Sequence, residues 1–236
     1  MNLEDKIAAL IGPDDLYIYG FARLGGKLDD RYAGLGCALS IARRLDPAVV
    51  DGIEQGPTLR YLEEYHTANA ELARLIGVIS TMLTSEGIRN VPVQPTYYNE
   101  GKSDPEFPKT LRTPFSHKMA ATQAGLGWIG KTDLLVTLKF GPRVRLATIL
   151  IDHEFQRIGT PITASRCGAC TVCVDACPAH AANGKPWDCT MDRSDFYDAF
   201  KCRETCLGLS MANLNTVISL CGICVAMCPF GKRATD

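Results

Sequence analysis

The chain has 236 residues, of which 46% are hydrophobic and 22% charged, a balance typical of a globular protein with one large domain or two small ones. Its 25 basic and 26 acidic side chains give a net charge of -1, which excludes the broad positive field that general nucleic-acid binding requires. No apolar run is long enough to span a membrane, and the acidic N-terminus is unlike a secretory signal, so we expect a cytoplasmic protein.

The N-terminal part of the chain predicts a mixture of helices and strands. A short amphipathic helix is expected over 3–11, followed by strands over Leu16–Ala22 and Gly36–Ala42. Apolar residues then recur at three- and four-residue steps and predict a long helix. Thr58 can cap its N-terminus, and Gly87 is expected to end it.

Residues 91–115 are rich in Pro, Tyr, Asn and Asp and predict a long loop, with one short strand at Val91–Val93. An Ala-rich helix is expected over 117–124. The runs Leu134–Lys139 and Val144–Ile151 are rich in Leu, Val and Ile and flank the sequence FGPR. This arrangement predicts a β-hairpin.

Residues 125–132, GLGWIGKT, match two nucleotide-binding patterns at once, G-x-G-x-x-G and G-x-x-x-x-G-K-T. Both patterns require a buried strand before the glycines and a helix after them. The preceding SHKMAATQA is too polar for a buried strand, and the following residues predict two strands. We therefore expect a tight turn between a helix and a hairpin, where the backbone can approach another group closely.

Ten of the eleven cysteines follow residue 166. An odd number of closely spaced cysteines, in a chain without an export signal, indicates metal binding rather than disulfides. We therefore expect two domains, 1–160 and 161–236, the second built from short helices and loops.

The late cysteines form two motifs of the bacterial ferredoxin type. Residues 167–178, CGACTVCVDACP, fit C-x2-C-x2-C-x3-C-P, and residues 221–229, CGICVAMCP, fit the last three cysteines of the same run. In such runs the cysteine before the proline ligates the other cluster, which predicts two 4Fe–4S clusters. One cluster is then bound by Cys167, Cys170, Cys173 and Cys228, and the other by Cys177, Cys221, Cys224 and one further ligand.

Three cysteines could provide that eighth ligand: Cys189, Cys202 and Cys206. Cys202 and Cys206 lie one turn apart on a predicted helix, so either could face the cluster. A zinc site or buried free thiols are the alternative, but zinc takes four ligands per site and has no use for the crossed pattern. Cys37 lies in an apolar strand pattern and is expected to be a small buried hydrophobic residue.

The chain resembles epoxyqueuosine reductases. The similarity is carried by AGLGWIGKTDLLVT and FGPRVRLATILID, by CGACTVCVDACPAHA and CGICVAMCP, and by YGFA near the N-terminus. The resemblance implies an α+β fold in which a nitroreductase-like domain precedes a ferredoxin-like double-cluster module. It also implies a cobalamin-dependent reductase, related to reductive dehalogenases, in which the clusters pass electrons to the corrinoid.

The resemblance further implies roles for individual residues. Cys202 is the implied eighth ligand because its context, DAFKC, is similar to that of the family. We expect a low-potential electron donor such as ferredoxin or flavodoxin, and a small molecule or a modified base as substrate. The implied corrinoid contacts are Gly125, Gly127, Trp128, Gly130 and Lys131.

The sequence departs from this family in two respects. Epoxyqueuosine reductases carry an Asp general acid before the Gly-rich turn, and aligning the turns puts Leu111 there, with Arg112 and Thr113 beside it. Only GKRATD follows the last motif, so the C-terminal helical-repeat domain that helps to hold tRNA is expected to be missing. Both departures argue against a base in tRNA as the substrate.

Three further residues are candidates for chemistry. Tyr98 could donate a proton to a substrate, and His117 and Lys118 could contact a corrinoid side chain or the substrate. Their alternatives are an ordinary loop aromatic and a solvent-exposed start of a helix. We expect an iron–sulfur reductase that uses cobalamin. The alternatives are an electron-transfer protein that supplies a partner, such as a corrinoid protein, and a flavin-binding iron–sulfur reductase.

Overall fold

The computed structural model describes residues 2–24, 28–96 and 104–232. Contacts within the chain divide it into two compact units, and each unit is discontinuous in sequence. The predicted domains 1–160 and 161–236 stay a prediction, because compactness in the folded chain does not measure independent folding. Unit 1 comprises Met1–Arg44, Ala68–Leu126 and Arg145–Ile162, and unit 2 comprises Leu45–Thr67, Gly127–Val144 and Thr163–Asp236.

Helices and strands alternate in the first two thirds of the chain, and short helices dominate the last third. The strands are β1 (Tyr17–Arg23), β2 (Cys37–Arg44), β3 (Asn90–Val93), β4 (Gly127–Ile129), β5 (Leu135–Thr137) and β6 (Val144–Ile151). The helices are α1 (Leu3–Ile11), α2 (Pro47–Val50), α3 (Leu59–Ser85), α4 (Phe107–Thr110), α5 (His117–Gln123), α6 (Val172–Asp175), α7 (Ala199–Leu214) and α8 (Ile223–Met227).

Unit 1 is built on a four-stranded sheet with the order β1-β2-β6-β3. β1 and β2 pair antiparallel with Tyr17 opposite Arg43, and β3 and β6 pair antiparallel with Asn90 opposite Ile151. Helix α5 packs on β1 and β2. The buried face of α3 lies in the same hydrophobic core as inward residues of β2 and β6, which include Leu39, Ile41, Leu72, Ile76, Ile79, Leu83, Ile149 and Ile151. Cys37 belongs to this core, as expected for a small hydrophobic residue.

The long helix begins and ends where the sequence predicts. The backbone N–H of Tyr61 donates to Thr58 Oγ1 at 3.2 Å, so Thr58 caps the N-terminus of α3. Gly87 has a φ of 75°, and the N–H of Ile88 bonds to the carbonyl of Leu83 at 3.0 Å. A left-handed residue after the last turn lets the chain reverse and satisfies the free carbonyls.

The predicted hairpin between Leu134–Lys139 and Val144–Ile151 is wrong. β5 pairs antiparallel with β4 in a separate two-stranded sheet, while β6 lies between β2 and β3. A Cβ atom at Gly127 would meet the carbonyl oxygen of Val136 and the Cα of Thr137, so β5 can pair here because position 127 has no side chain. The predicted tight turn over 125–132 is therefore in part a strand.

The loop and the helices also bear on two predictions made from the sequence. The long loop predicted over 91–115 contains the short helix α4 in the part that the structure describes. None of the helices in the described ranges combines the length and the apolar character that a bilayer crossing requires.

Candidate metal centre

The first cysteine motif folds as a series of tight turns around α6 in unit 2. The N–H of Cys170 bonds to the carbonyl of Cys167 at 3.2 Å, and Gly168 between them has a φ of 54°. Cys173 lies on α6, and the N–H of Cys177 bonds back to Val174 at 3.2 Å. These turns bring three thiols together: burial raises the pKa of Cys173, and the charges of Cys167 and Cys170 raise it further.

Cys228 of the second motif joins this group. It follows α8 and is 7% exposed. Burial raises its pKa to about 11, and the nearby charges of Cys173, Cys167 and Cys170 add to that rise. The structure therefore brings together the four thiols that the crossed ferredoxin pattern assigns to one cluster.

A second group of thiols surrounds Cys224, which lies on α8. Burial is the main cause of the raised pKa of Cys224, and the charges of neighbouring thiols contribute. α6 packs on α8, which places the end of the first motif beside the second one. The neighbours that raise the pKa of Cys224 are Cys221, Cys202, Cys173 and Cys177.

Two cysteines of α7 reach this second group. Cys202 Sγ and Cys206 Sγ are 3.8 Å apart. The hydrogen bond from Cys206 is the main cause that lowers the pKa of Cys202, and a hydrogen bond from Tyr197 contributes. Hydrogen bonds to Cys202 and Cys221 raise the pKa of Cys206. These interactions lower the pKa of Cys202 and raise that of Cys206, whereas Cys189 is exposed.

The thiols are spread as two groups rather than converging on one point. Among the described residues, no three His, Cys, Asp or Glu side chains approach closely enough to hold a single metal ion. A 4Fe–4S cluster imposes a different geometry, because each of its four thiolates binds a separate iron. Thiols of both motifs lie near one another in unit 2, as a pair of such clusters requires. The individual ligands stay a prediction.

The Gly-rich stretch packs closely against neighbouring parts of the chain. A Cβ atom at Gly125 would meet the Thr160 carbonyl oxygen at 2.7 Å, and one at Gly130 would meet Val136 Cγ2 at 3.0 Å. The space beside these glycines is thus filled by the chain itself, as it is at Gly127. Trp128 and Lys131 are 2% and 4% exposed. The role of these residues towards a corrinoid stays a prediction.

The predicted catalytic candidates have different surroundings. Tyr98 lies outside the described residues, and Lys118 is half-buried at the start of α5. His117 Nε2 lies 2.9 Å from the Gln94 carbonyl oxygen, and His117 Nδ1 lies 2.8 Å from Thr148 Oγ1. Since a carbonyl can only accept, Nε2 carries the proton and the Thr148 hydroxyl donates to Nδ1. Both ring nitrogens of His117 are therefore engaged within unit 1.

This environment predicts a pH-dependent stability. Burial lowers the pKa of His117 to about 4 from an ordinary 6.5, and Arg145 adds to the effect. Between these values the unfolded chain binds more protons at this site, so His117 makes the folded state less stable as the pH falls from 6.5 towards 4. We expect the thermal midpoint to fall more between pH 7 and pH 5 in the wild type than in His117→Gln. An equal fall of the thermal midpoint in both proteins would contradict the lowered pKa of His117.

Several side chains that contact the thiols were not expected from the sequence. Trp128 Nε1 donates to Cys167 Sγ at 3.3 Å. Thr132 lowers the pKa of Cys173, and Tyr197 lowers that of Cys202, each through its hydroxyl. Trp128 and Thr132 are remote in sequence from the thiols they contact, and Tyr197 lies outside the cysteine motifs. The spacing of the cysteines therefore does not predict these contacts. Each of these three side chains has a hydrogen-bond donor near a sulfur atom.

Residues 166–231 match the 4Fe-4S double cluster binding domain. The match spans both cysteine motifs and the segment between them. It confirms the predicted pair of 4Fe–4S clusters.

Comparison with known proteins connects the chain to two groups of reductases. It is 31% identical over 121 residues to an epoxyqueuosine reductase from Leadbetterella byssophila, which covers 51% of this chain and 39% of that protein. It is 33% identical over 127 residues to a tetrachloroethene reductive dehalogenase from Dehalobacter restrictus, which covers 49% of this chain and 22% of that protein. The matches thus cover less than half the length of either relative.

A solved reductive dehalogenase, reported with a suggested mechanism for B12-dependent dehalogenation, shares the fold. The TM-score is 0.68 at 20% identity, and the alignment covers 97% of this chain and 32% of that chain. The resemblance to epoxyqueuosine reductases, the relationship to reductive dehalogenases and the α+β fold class are therefore confirmed.

Proposed function

We propose that this relative of epoxyqueuosine reductases and reductive dehalogenases is an iron–sulfur oxidoreductase that uses cobalamin. Two 4Fe–4S clusters receive single electrons from a low-potential donor such as ferredoxin or flavodoxin, in the cytoplasm. The observation that carries the proposal is the grouping of thiols from both cysteine motifs into two sets within unit 2. That grouping matches the crossed ligands of a two-cluster electron relay.

The chain's own residues account for the relay. Cys167, Cys170, Cys173 and Cys228 hold the first cluster, and Cys177, Cys202, Cys221 and Cys224 hold the second. Cys173 contributes to the raised pKa of Cys224, so the two groups lie near one another, as single-electron transfer between clusters requires. Cys228 is buried, whereas Cys167, Cys170 and Cys173 are partly exposed.

We include cobalamin because the chain shares its fold with a dehalogenase described as B12-dependent. A bound corrinoid would supply a cobalt centre that is strongly reducing after electron uptake. The residues of the Gly-rich stretch proposed to contact it are closely packed, and no chemical step is assigned to them.

The substrate is proposed to differ from that of epoxyqueuosine reductases. Leu111 occupies the position that aligns with the family's general acid, and it ends α4 in a left-handed conformation with a φ of 50°. An apolar side chain cannot transfer a proton to a substrate. We therefore propose a reduction that takes its proton from another group or needs none at this position.

The test uses the full-length protein purified without air. Iron and sulfide analysis is expected to give about eight of each per chain, since two four-iron clusters are proposed. Hydroxocobalamin added to the reduced protein is expected to co-elute with it in gel filtration and to show a changed visible spectrum. Loss of the corrinoid on the column would favour the electron-transfer alternative, and retained flavin would favour the flavin-binding one.

A further inference from the structure

Trp128 is buried beside the first cysteine motif. Its side chain is 2% exposed, and its Nε1 lies 3.3 Å from Cys167 Sγ. An indole N–H can only donate, so the sulfur is the acceptor. The hydrogen bond therefore points from β4 to the first thiol of the first cysteine motif.

The direction of this N–H is fixed by contacts within unit 2. Strand pairing sets Trp128 opposite Val136. Phe230 meets the indole edge-on, with ring centroids 5.1 Å apart and an interplanar angle of 83°. The guanidinium of Arg166 lies 6.0 Å from the ring centroid. Because these contacts come from the chain itself, the donor is held in place without a bound cofactor.

A second donor lies four residues further along the chain. Thr132 is 5% exposed, and its hydroxyl lies near Cys173 and lowers the pKa of that thiol. Trp128 and Thr132 thus serve two different thiols of one predicted cluster. A stretch that matches phosphate-binding patterns in sequence therefore provides hydrogen bonds to sulfur.

Hydrogen bonds to the sulfurs are one of the factors that set the potential of an iron–sulfur cluster. Reduction adds one electron and no proton to the cluster, so its negative charge increases. A donor directed at a ligating sulfur stabilises the more negative form and raises the reduction potential. Removal of the donor has the opposite effect.

We infer that Trp128 and Thr132 are positioning residues that raise the reduction potential of the cluster held by Cys167, Cys170, Cys173 and Cys228. The inference rests on the proposed pair of clusters. It gives Trp128 a role towards the cluster rather than towards the corrinoid.

The test compares two tryptophan variants of the full-length protein. Trp128→Phe keeps an aromatic ring but removes the N–H, and Trp187→Phe removes the only other tryptophan of the chain. Iron content is measured first, and each cluster is then titrated with titanium(III) citrate and followed by EPR. We expect Trp128→Phe to keep its iron and shift one cluster to a more negative potential, with both potentials unchanged in Trp187→Phe.

Two further measurements separate this role from simple packing. Thr132→Val removes the hydroxyl but keeps the branched shape, and it is expected to shift the same cluster in the same direction. With ¹⁵N-indole-labelled tryptophan, pulsed EPR of the reduced wild-type cluster is expected to show one ¹⁵N coupling. That coupling should vanish in Trp128→Phe and persist in Trp187→Phe.

The outcomes distinguish this inference from the proposed function. Unchanged potentials in Trp128→Phe and Thr132→Val, or absence of the ¹⁵N coupling in the wild type, would overturn the inference while leaving the clusters in place. A wild-type protein without iron would overturn the proposed function. If Trp128→Phe does not fold, the potentials of Thr132→Val and the ¹⁵N coupling of the wild type decide whether the inference holds.

Discussion

Replacing Cys228 with alanine will remove the cluster held by Cys167, Cys170 and Cys173, although Cys228 belongs to the other cysteine motif. The reason is its position: Cys228 is buried, and its pKa is raised by the charges of those three thiols. Iron content is expected to fall from about eight to about four per chain, since one of two four-iron clusters is lost. Alanine is preferred to serine because a serine oxygen could replace the thiolate.

Double variants test the crossed arrangement directly. If it is correct, Cys167 and Cys228 act on the same cluster, so Cys167→Ala with Cys228→Ala leaves about four irons, as either single variant does. Cys167→Ala with Cys177→Ala removes both clusters. An uncrossed arrangement, in which each motif binds its own cluster, predicts the opposite pair of results. Cys189→Ala is the control, because that thiol is exposed and is expected to leave all the iron in place.

The clusters could be predicted from sequence because the ligand spacing is local. A C-x2-C-x2-C-x3-C-P run forms tight turns whatever surrounds it, and the crossed use of its last cysteine follows from the same geometry. Cys228 lies near Cys173, Cys167 and Cys170, and Cys177 lies near Cys224, with α6 packed on α8. Helix α3 could be predicted equally well, because its cap at Thr58 and its end at Gly87 are short-range signals.

Strand pairing and hydrogen-bond partners could not be predicted from sequence in this way. β5 and β6 were recognised as strands, but their pairing depends on partners that are distant in sequence. The role of Gly127 shows the difficulty, because a glycine that admits a neighbouring strand looks the same in sequence as one that admits a ligand. Likewise, the indole of Trp128 donates to a thiol 39 residues away, and the segment around Trp128 contains no cysteine.

The eighth ligand is the assignment on which the second cluster depends, and Cys202→Ala is expected to remove that cluster. Cys202 contributes to the raised pKa of Cys224, and its own pKa is lowered by donors from Cys206 and Tyr197. A thiolate that receives hydrogen bonds is the form that binds iron. Iron content should fall to about four per chain, with the EPR signal of the first cluster retained.

Cys206→Ala is the matched control, because Cys206 lies one turn further along the same helix, with its sulfur 3.8 Å from that of Cys202. This variant is expected to keep about eight irons, since Cys202 is the proposed ligand and Cys206 is not. Loss of its hydrogen bonds to Cys202 and Cys221 should move the second cluster to a more negative potential, because the reduced form is stabilised less. If Cys206→Ala loses four irons and Cys202→Ala keeps all of them, the two roles are reversed and Cys206 is the ligand.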